Sequence, residues 1–126
     1  MKSDKIINVF NKQIMEFTQQ IMKAFPDIMN DSNVNKMYNT LETSVSLTPT
    51  IPIQLFYEKF VQHYNDEIMN RDADFFLQFD EIGDNPIDVL KYVYNDASED
   101  NKKIIWDYVQ RLRLLAIKYH QQKNSN

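Results

Sequence analysis

The chain has 126 residues, 43% hydrophobic and 25% charged, with a net charge of −4, one glycine and no cysteine. That length holds one core burying about two-thirds of the surface the unfolded chain exposes, and the composition is that of an ordered globular domain. One glycine is too few for the positive-φ positions of hairpins, closed barrels and phosphate-cradling loops, and the lack of cysteine removes disulfides, thiolate zinc sites and thiol nucleophiles.

The opening stretch MKSDKIINVF has polar residues among Ile6, Ile7, Val9 and Phe10, so no signal peptide is expected. Ile7, Phe10, Ile14, Phe17 and Ile21 recur every three or four residues and predict an amphipathic helix over residues 4 to 24, which Pro26 helps to end. Asp31 or Ser32 is placed to cap a second helix with Val34, Met37, Tyr38, Leu41 and Val45 on its apolar side. The pattern then stops. Residues 46 to 50 read as a connection, with Pro52 suited to the first turn of a third helix. Ile53, Tyr57, Phe60, Val61, Tyr64 and Ile68 fall on one side of that helix.

Asp72 can cap a short fourth helix carrying Phe75, Phe76, Leu77 and Phe79. Gly83 and Pro86 mark a break before a short fifth helix with Ile87, Leu90, Val93 and Tyr94. Asp96 and Glu99 have capping-box spacing and predict a long last helix to about His120, with Ile105, Tyr108, Val109, Leu112, Leu115, Ala116 and Tyr119 as its main face. The expectation is an all-α protein: a compact bundle of five to six helices with a long C-terminal helix, one domain over residues 1 to 122 and a frayed tail over 123 to 126. No uncharged apolar run approaches about 18 residues, so no membrane span is expected and the protein reads as soluble.

Phe25-Pro26-Asp27, Leu55-Phe56 with Tyr64 and Ile68, Asp72 with Asp74-Phe75-Phe76-Leu77, and Ile105-Trp106-Asp107-Tyr108-Val109 with Leu112 cover most of the chain. Together they resemble a family of small helical proteins, without assigned activity, encoded by large nucleocytoplasmic DNA viruses of the mimivirus and phycodnavirus kind. The resemblance implies a helical bundle of a giant virus, acting in the host cytoplasm of the infected cell or in the virion rather than secreted. It carries no catalytic residue to this chain.

The chemistry-bearing residues point away from catalysis. Asp31, Asn33, Asn35 and Glu42 have the spacing of a calcium-binding loop, but Lys36 stands where such a loop turns on glycine, and Met37, Tyr38 and Leu41 continue a helical pattern through it. Asp96, Ser98, Asp100 and Asp107 match that loop less well, with Asn101 at the glycine position. His63 and His120 lie on different predicted helices without metal-binding spacing. Asp72 with Asp74, and Asp80 with Glu81, are carboxylates near helix starts, where capping is the usual role. The sequence thus assigns no catalytic residue, no cofactor and no metal, and the protein is not expected to be an enzyme.

Charge is polarised along the chain. Residues 101 to 126 carry six basic groups against Asp107 alone, a net of +5, leaving −9 on the remainder of a chain whose total is −4. Eleven carboxylates lie between Asp66 and Asp100. On the last helix Trp106 and Ile117 project about 100–120° from the main apolar face and Leu114 about 180°. These residues need either a neighbouring helix or a partner. The expectation is a non-enzymatic interaction or assembly module acting through a helical surface, with a protein partner or self-association. Trp106, Arg113, Leu114 and Ile117 form the expected contact, and Lys102, Lys103 and Arg111 tune its charge. Nucleic-acid association through the basic last helix is the alternative, disfavoured by the acidic middle and a pI near 5.1.

Overall fold

The computed structural model describes residues 2–79 and 85–124, which form six α-helices and short 3-10 and π turns, with no strand among the described residues. Helix α1 (Lys2–Ala24) ends where Pro26 opens a 3-10 turn over Pro26–Asn30. Helix α2 (Ser32–Leu47) starts from Asp31, whose carboxylate accepts the N–H groups of Asn33 at 2.7 Å and Val34 at 3.4 Å. Those two donors have no partner within the helix, so the cap stabilises its start by about 1 kcal/mol. Helix α3 (Ile51–Phe56) carries Pro52 in its first turn, as the spacing predicts.

From α3 the chain runs directly into a π turn (Tyr57–Val61) and then α4 (Gln62–Met69). The Gln62 N–H reaches back to the carbonyl of Tyr57, five residues earlier. One residue more than an α-turn is accommodated, and Tyr64 leaves the helical region at φ −129°, ψ 27°. The expected third helix is therefore present over its length but interrupted. Helix α4 closes with Arg71 at φ 53°, the left-handed region that glycine usually fills. The Arg71 N–H bonds the Ile68 carbonyl and the Asp72 N–H bonds that of Glu67, so two terminal carbonyls of the helix are satisfied.

The expected fourth helix is a 3-10 turn, Ala73–Gln78, with Asp72 accepting from the Asp74 N–H at 3.0 Å. Helix α5 (Ile87–Val93) passes into a 3-10 turn, Tyr94–Asp96. Gly83, Asp80 and Glu81 lie outside the described residues. The last helix, α6 (Glu99–Asn124), differs from expectation at both ends. Ser98, not Asp96, caps it: its Oγ accepts the Asn101 N–H at 3.1 Å and its carbonyl takes the Lys102 N–H at 2.9 Å. Lys123 and Asn124, expected to fray, are helical.

Helices α1 and α6 are antiparallel partners. Phe17 stacks on Tyr108 at 5.1 Å, and the Arg111 guanidinium donates to the Gln13 side chain at 3.1 Å, so register advances along one helix as it recedes along the other. The α3–π–α4 segment drives Phe56 and Phe60, both fully buried, into the centre. Phe56 meets Phe10 edge-on at 5.5 Å, and Phe60 meets Phe79 at 5.0 Å and Phe75 at 6.0 Å. Each such side chain gains about 1.5–3 kcal/mol from burial, and edge-on geometry adds to it. Two polar ties reach inside: Asn11 donates through Nδ2 to the Pro49 carbonyl at 2.9 Å, and the Thr18 hydroxyl donates to the Ile14 carbonyl at 2.8 Å.

Candidate functional site

Helix α6 carries all the residues of the expected contact surface, so what packs on each of its sides decides which of them are available. On one flank stands α1. On the other, Arg113 donates to the Asn65 side chain at 2.7 Å, and Gln110 Nε2 donates to the Ile68 carbonyl at 3.0 Å, so α4 is tied along the middle of α6. Near its start the 3-10 turns pack on a third side. Phe76 lies 4.8 Å from Trp106, ring centre to ring centre, and the Trp106 indole N–H donates to the Tyr94 hydroxyl at 2.8 Å.

Trp106 is therefore a core residue, 3% exposed, and is withdrawn from the expected contact surface. The physical reason is that α6 is covered from more directions than its main apolar stripe indicates. Ile117 is half-buried and packs against the same core, so it offers a partner only part of its surface. Leu114 remains 51% exposed. Arg113 is half-buried through its bond to Asn65, and Arg111 is exposed with its guanidinium 4.8 Å above the Tyr108 ring.

The basic groups of α6 divide into two sets. In the first half, Lys102 pairs with Glu99 at 3.6 Å and Lys103 with Asp107 at 3.4 Å, while Arg71 binds the same Asp107 at 2.7 Å. The Arg71 hydrogen bond is the main reason the Asp107 carboxyl titrates below the ordinary carboxylate range, with Lys103 assisting. Beyond Asp107 the sequence has no further acid. Among the described residues, Arg111 and Arg113 donate to the neutral Gln13 and Asn65 side chains and neither they nor Lys118 pair with a carboxylate. The positive charge of the second half is thus not offset by any described carboxylate. Lys102 and Lys103, by contrast, are already occupied.

Two of the remaining candidates are caps. Asp31 is the α2 cap, and Asn33, Asn35 and Glu42 lie on that helix rather than around a loop. Asp72 caps the following 3-10 turn. His63 is exposed beside Tyr64, and among the described residues no group of three His, Asp or Glu side chains is placed to hold a metal ion. A buried carboxylate does exist where it was not anticipated: Asp88, 1% exposed, takes the Lys59 ammonium at 3.2 and 3.4 Å. Burial of an ion is tolerated when an opposite charge meets it, which makes this pair a clasp between the π turn and α5.

A concave feature also escaped the sequence. Between the π turn and the end of α6 lies a recess of about 190 Å³, lined by Gln54, Tyr57, Glu58 and Gln62 on one wall and His120 and Lys123 on the other. The Tyr57 and His120 rings are stacked 4.0 Å apart and 13° from parallel. Only the apolar phase of Tyr57 was visible in sequence. A stack between residues 57 and 120 depends on the crossing of two helices, which no local spacing reports. No helix is long and apolar enough to cross a membrane among the described residues. No protein-family model, curated protein or solved structure matches the chain, so its reading rests on these residues and their geometry.

Proposed function

We propose that the protein is a non-enzymatic interaction module whose contact surface is the second half of α6, with Leu114 at its centre and Arg111, Arg113 and Lys118 around it, and that its partner is an acidic protein surface. The observation that supports this reading is the unequal pairing along α6. Charges in its first half meet carboxylates, whereas those beside the exposed Leu114 meet none among the described residues. An apolar side chain ringed by uncompensated cations suits a partner that presents an apolar pocket with acidic edges. A viral source, with action in the infected host cytoplasm or the virion, is proposed from the family resemblance. Several of its residues are core positions here: Phe75, Phe76, Ile105, Trp106, Val109 and Leu112 are all buried.

Recovery of the tagged protein from infected cells, with and without nuclease, tests this against nucleic-acid association. Leu114→Asp and Lys118→Glu are suitable variants because both residues are exposed, whereas Ile117→Asp would disturb the core. The expected outcome is a protein partner that survives nuclease, is lost with either variant, and binds the purified protein less tightly as salt rises. A partner unaffected by both variants would place the contact elsewhere. Recovery that depends on intact nucleic acid would favour the basic-helix alternative.

A further inference from the structure

The recess between the π turn and the end of α6 has two kinds of lining. One is held in place. Tyr57 and His120 fix each other by stacking, His120 Nε2 is 2.9 Å from Asn124 Nδ2, and Gln54 Nε2 donates to the hydroxyl of the nearly buried Tyr119 at 3.4 Å. The other is not. Glu58 on one wall and Lys123 on the opposite wall are the formal charges of the recess apart from the titratable His120, and neither pairs with the other or with any described residue. Both side chains are exposed, and no ion pair joins them across the recess, so each charge is open to a ligand.

We propose that this recess is a binding site for a free α-amino acid with a planar side chain, its ammonium group directed to Glu58, its carboxylate to Lys123 and its side chain to the Tyr57–His120 ring pair. Size supports a single amino acid. About 190 Å³ is below the range of drug-sized and nucleotide pockets, which begins near 300 Å³. The stacked rings provide a pre-formed aromatic wall, so little ordering is required on binding. The π turn contributes by carrying Tyr57, Glu58 and, five residues beyond Tyr57, Gln62 to one wall. Insertions of that kind recur at functional positions in helices. The site is separate from the Leu114 surface and can be tested on the purified protein without any partner.

The test is a nuclear magnetic resonance titration following the ring protons of His120, one of only two histidines, and of Tyr57. Three probes are compared: L-phenylalanine, phenethylamine, which lacks the carboxylate, and N-acetyl-L-phenylalanine, which lacks the ammonium group. Saturable shifts with L-phenylalanine are expected, and binding at least about tenfold weaker for each of the others. Glu58→Gln should then make L-phenylalanine and its N-acetyl form bind alike, and Lys123→Met should do the same for L-phenylalanine and phenethylamine. Both positions are exposed, so neither variant disturbs the core. Absence of saturable shifts up to about 10 mM, or equal shifts with all three probes on the unaltered protein, overturns the proposal.

Discussion

Replacing Arg71 once by alanine and once by glycine isolates the backbone strain stored where α4 ends. Arg71 has φ 53°, and its guanidinium binds Asp107 and Gln110. Both substitutions remove those side-chain bonds, so their loss cancels when the two variants are compared. What remains is conformational. A residue with a Cβ carries about 1–2 kcal/mol in the left-handed region. Glycine escapes that cost but gives back about 0.4–1 kcal/mol through its greater freedom in the unfolded chain. The glycine variant should therefore be more stable than the alanine variant by about 1 kcal/mol. With a urea dependence of about 2 kcal/mol per molar, this separates the unfolding midpoints by about 0.5 M at unchanged slope. Equal midpoints, or an alanine variant that outlasts the glycine one, would refute the reasoning, because the helix would then not end through a strained left-handed residue.

Two further outcomes follow from the packing and the electrostatics. Phe60→Ala removes a fully buried ring that touches Phe56, Phe75 and Phe79, and should cost about 3–5 kcal/mol by urea unfolding; a loss under about 2 kcal/mol would mean that the centre of the core collapses around the gap. Asp107 titrates lower folded than unfolded, so its contribution to stability is complete above the unfolded carboxylate value and is lost as pH falls through the folded one. Asp107→Asn should flatten the acid side of the stability profile below the ordinary carboxylate range while leaving its neutral shape alone, and an unchanged acid limb in unfolding curves taken from about pH 5 downward would contradict that assignment.

Helix existence and facing were legible because apolar side chains repeat at helical spacing. Ile7, Phe10, Ile14, Phe17 and Ile21 were assigned to a buried side, and all five are buried. Three features were hidden for distinct reasons. The π turn fits the helical phase at both ends, since Phe60 and Val61 remain inward, so nothing in the alternation of residue types announces an extra one. Trp106 was expected on the surface because an angle on a helical wheel measures distance from one stripe, whereas Phe76 and Tyr94 come from segments that the wheel does not contain. Ser98 displaced Asp96 as the cap of α6 because Asp96 belongs to the preceding 3-10 turn, a tertiary choice between two chemically suitable residues. Exposure along α6 was legible in part: Leu114 faces outward as its helical phase indicates, but the division of the helix into paired and unpaired cations depends on where Arg71, Glu99 and Asp107 lie in space.

The antiparallel partnership of α1 and α6 has a consequence for how the chain is made. Gln13 and Arg111, which meet in the finished fold, are 98 residues apart. At a synthesis rate of about 5–20 residues per second, the inward side of α1 waits about 5–20 s for the helix that covers it. During that interval Ile7, Phe10, Ile14, Phe17 and Ile21 have only the early helices to shelter them. The newborn chain therefore passes through a stage at which a holdase-type chaperone has a well-defined amphipathic segment to grip, and release becomes favourable only once the last helix has emerged.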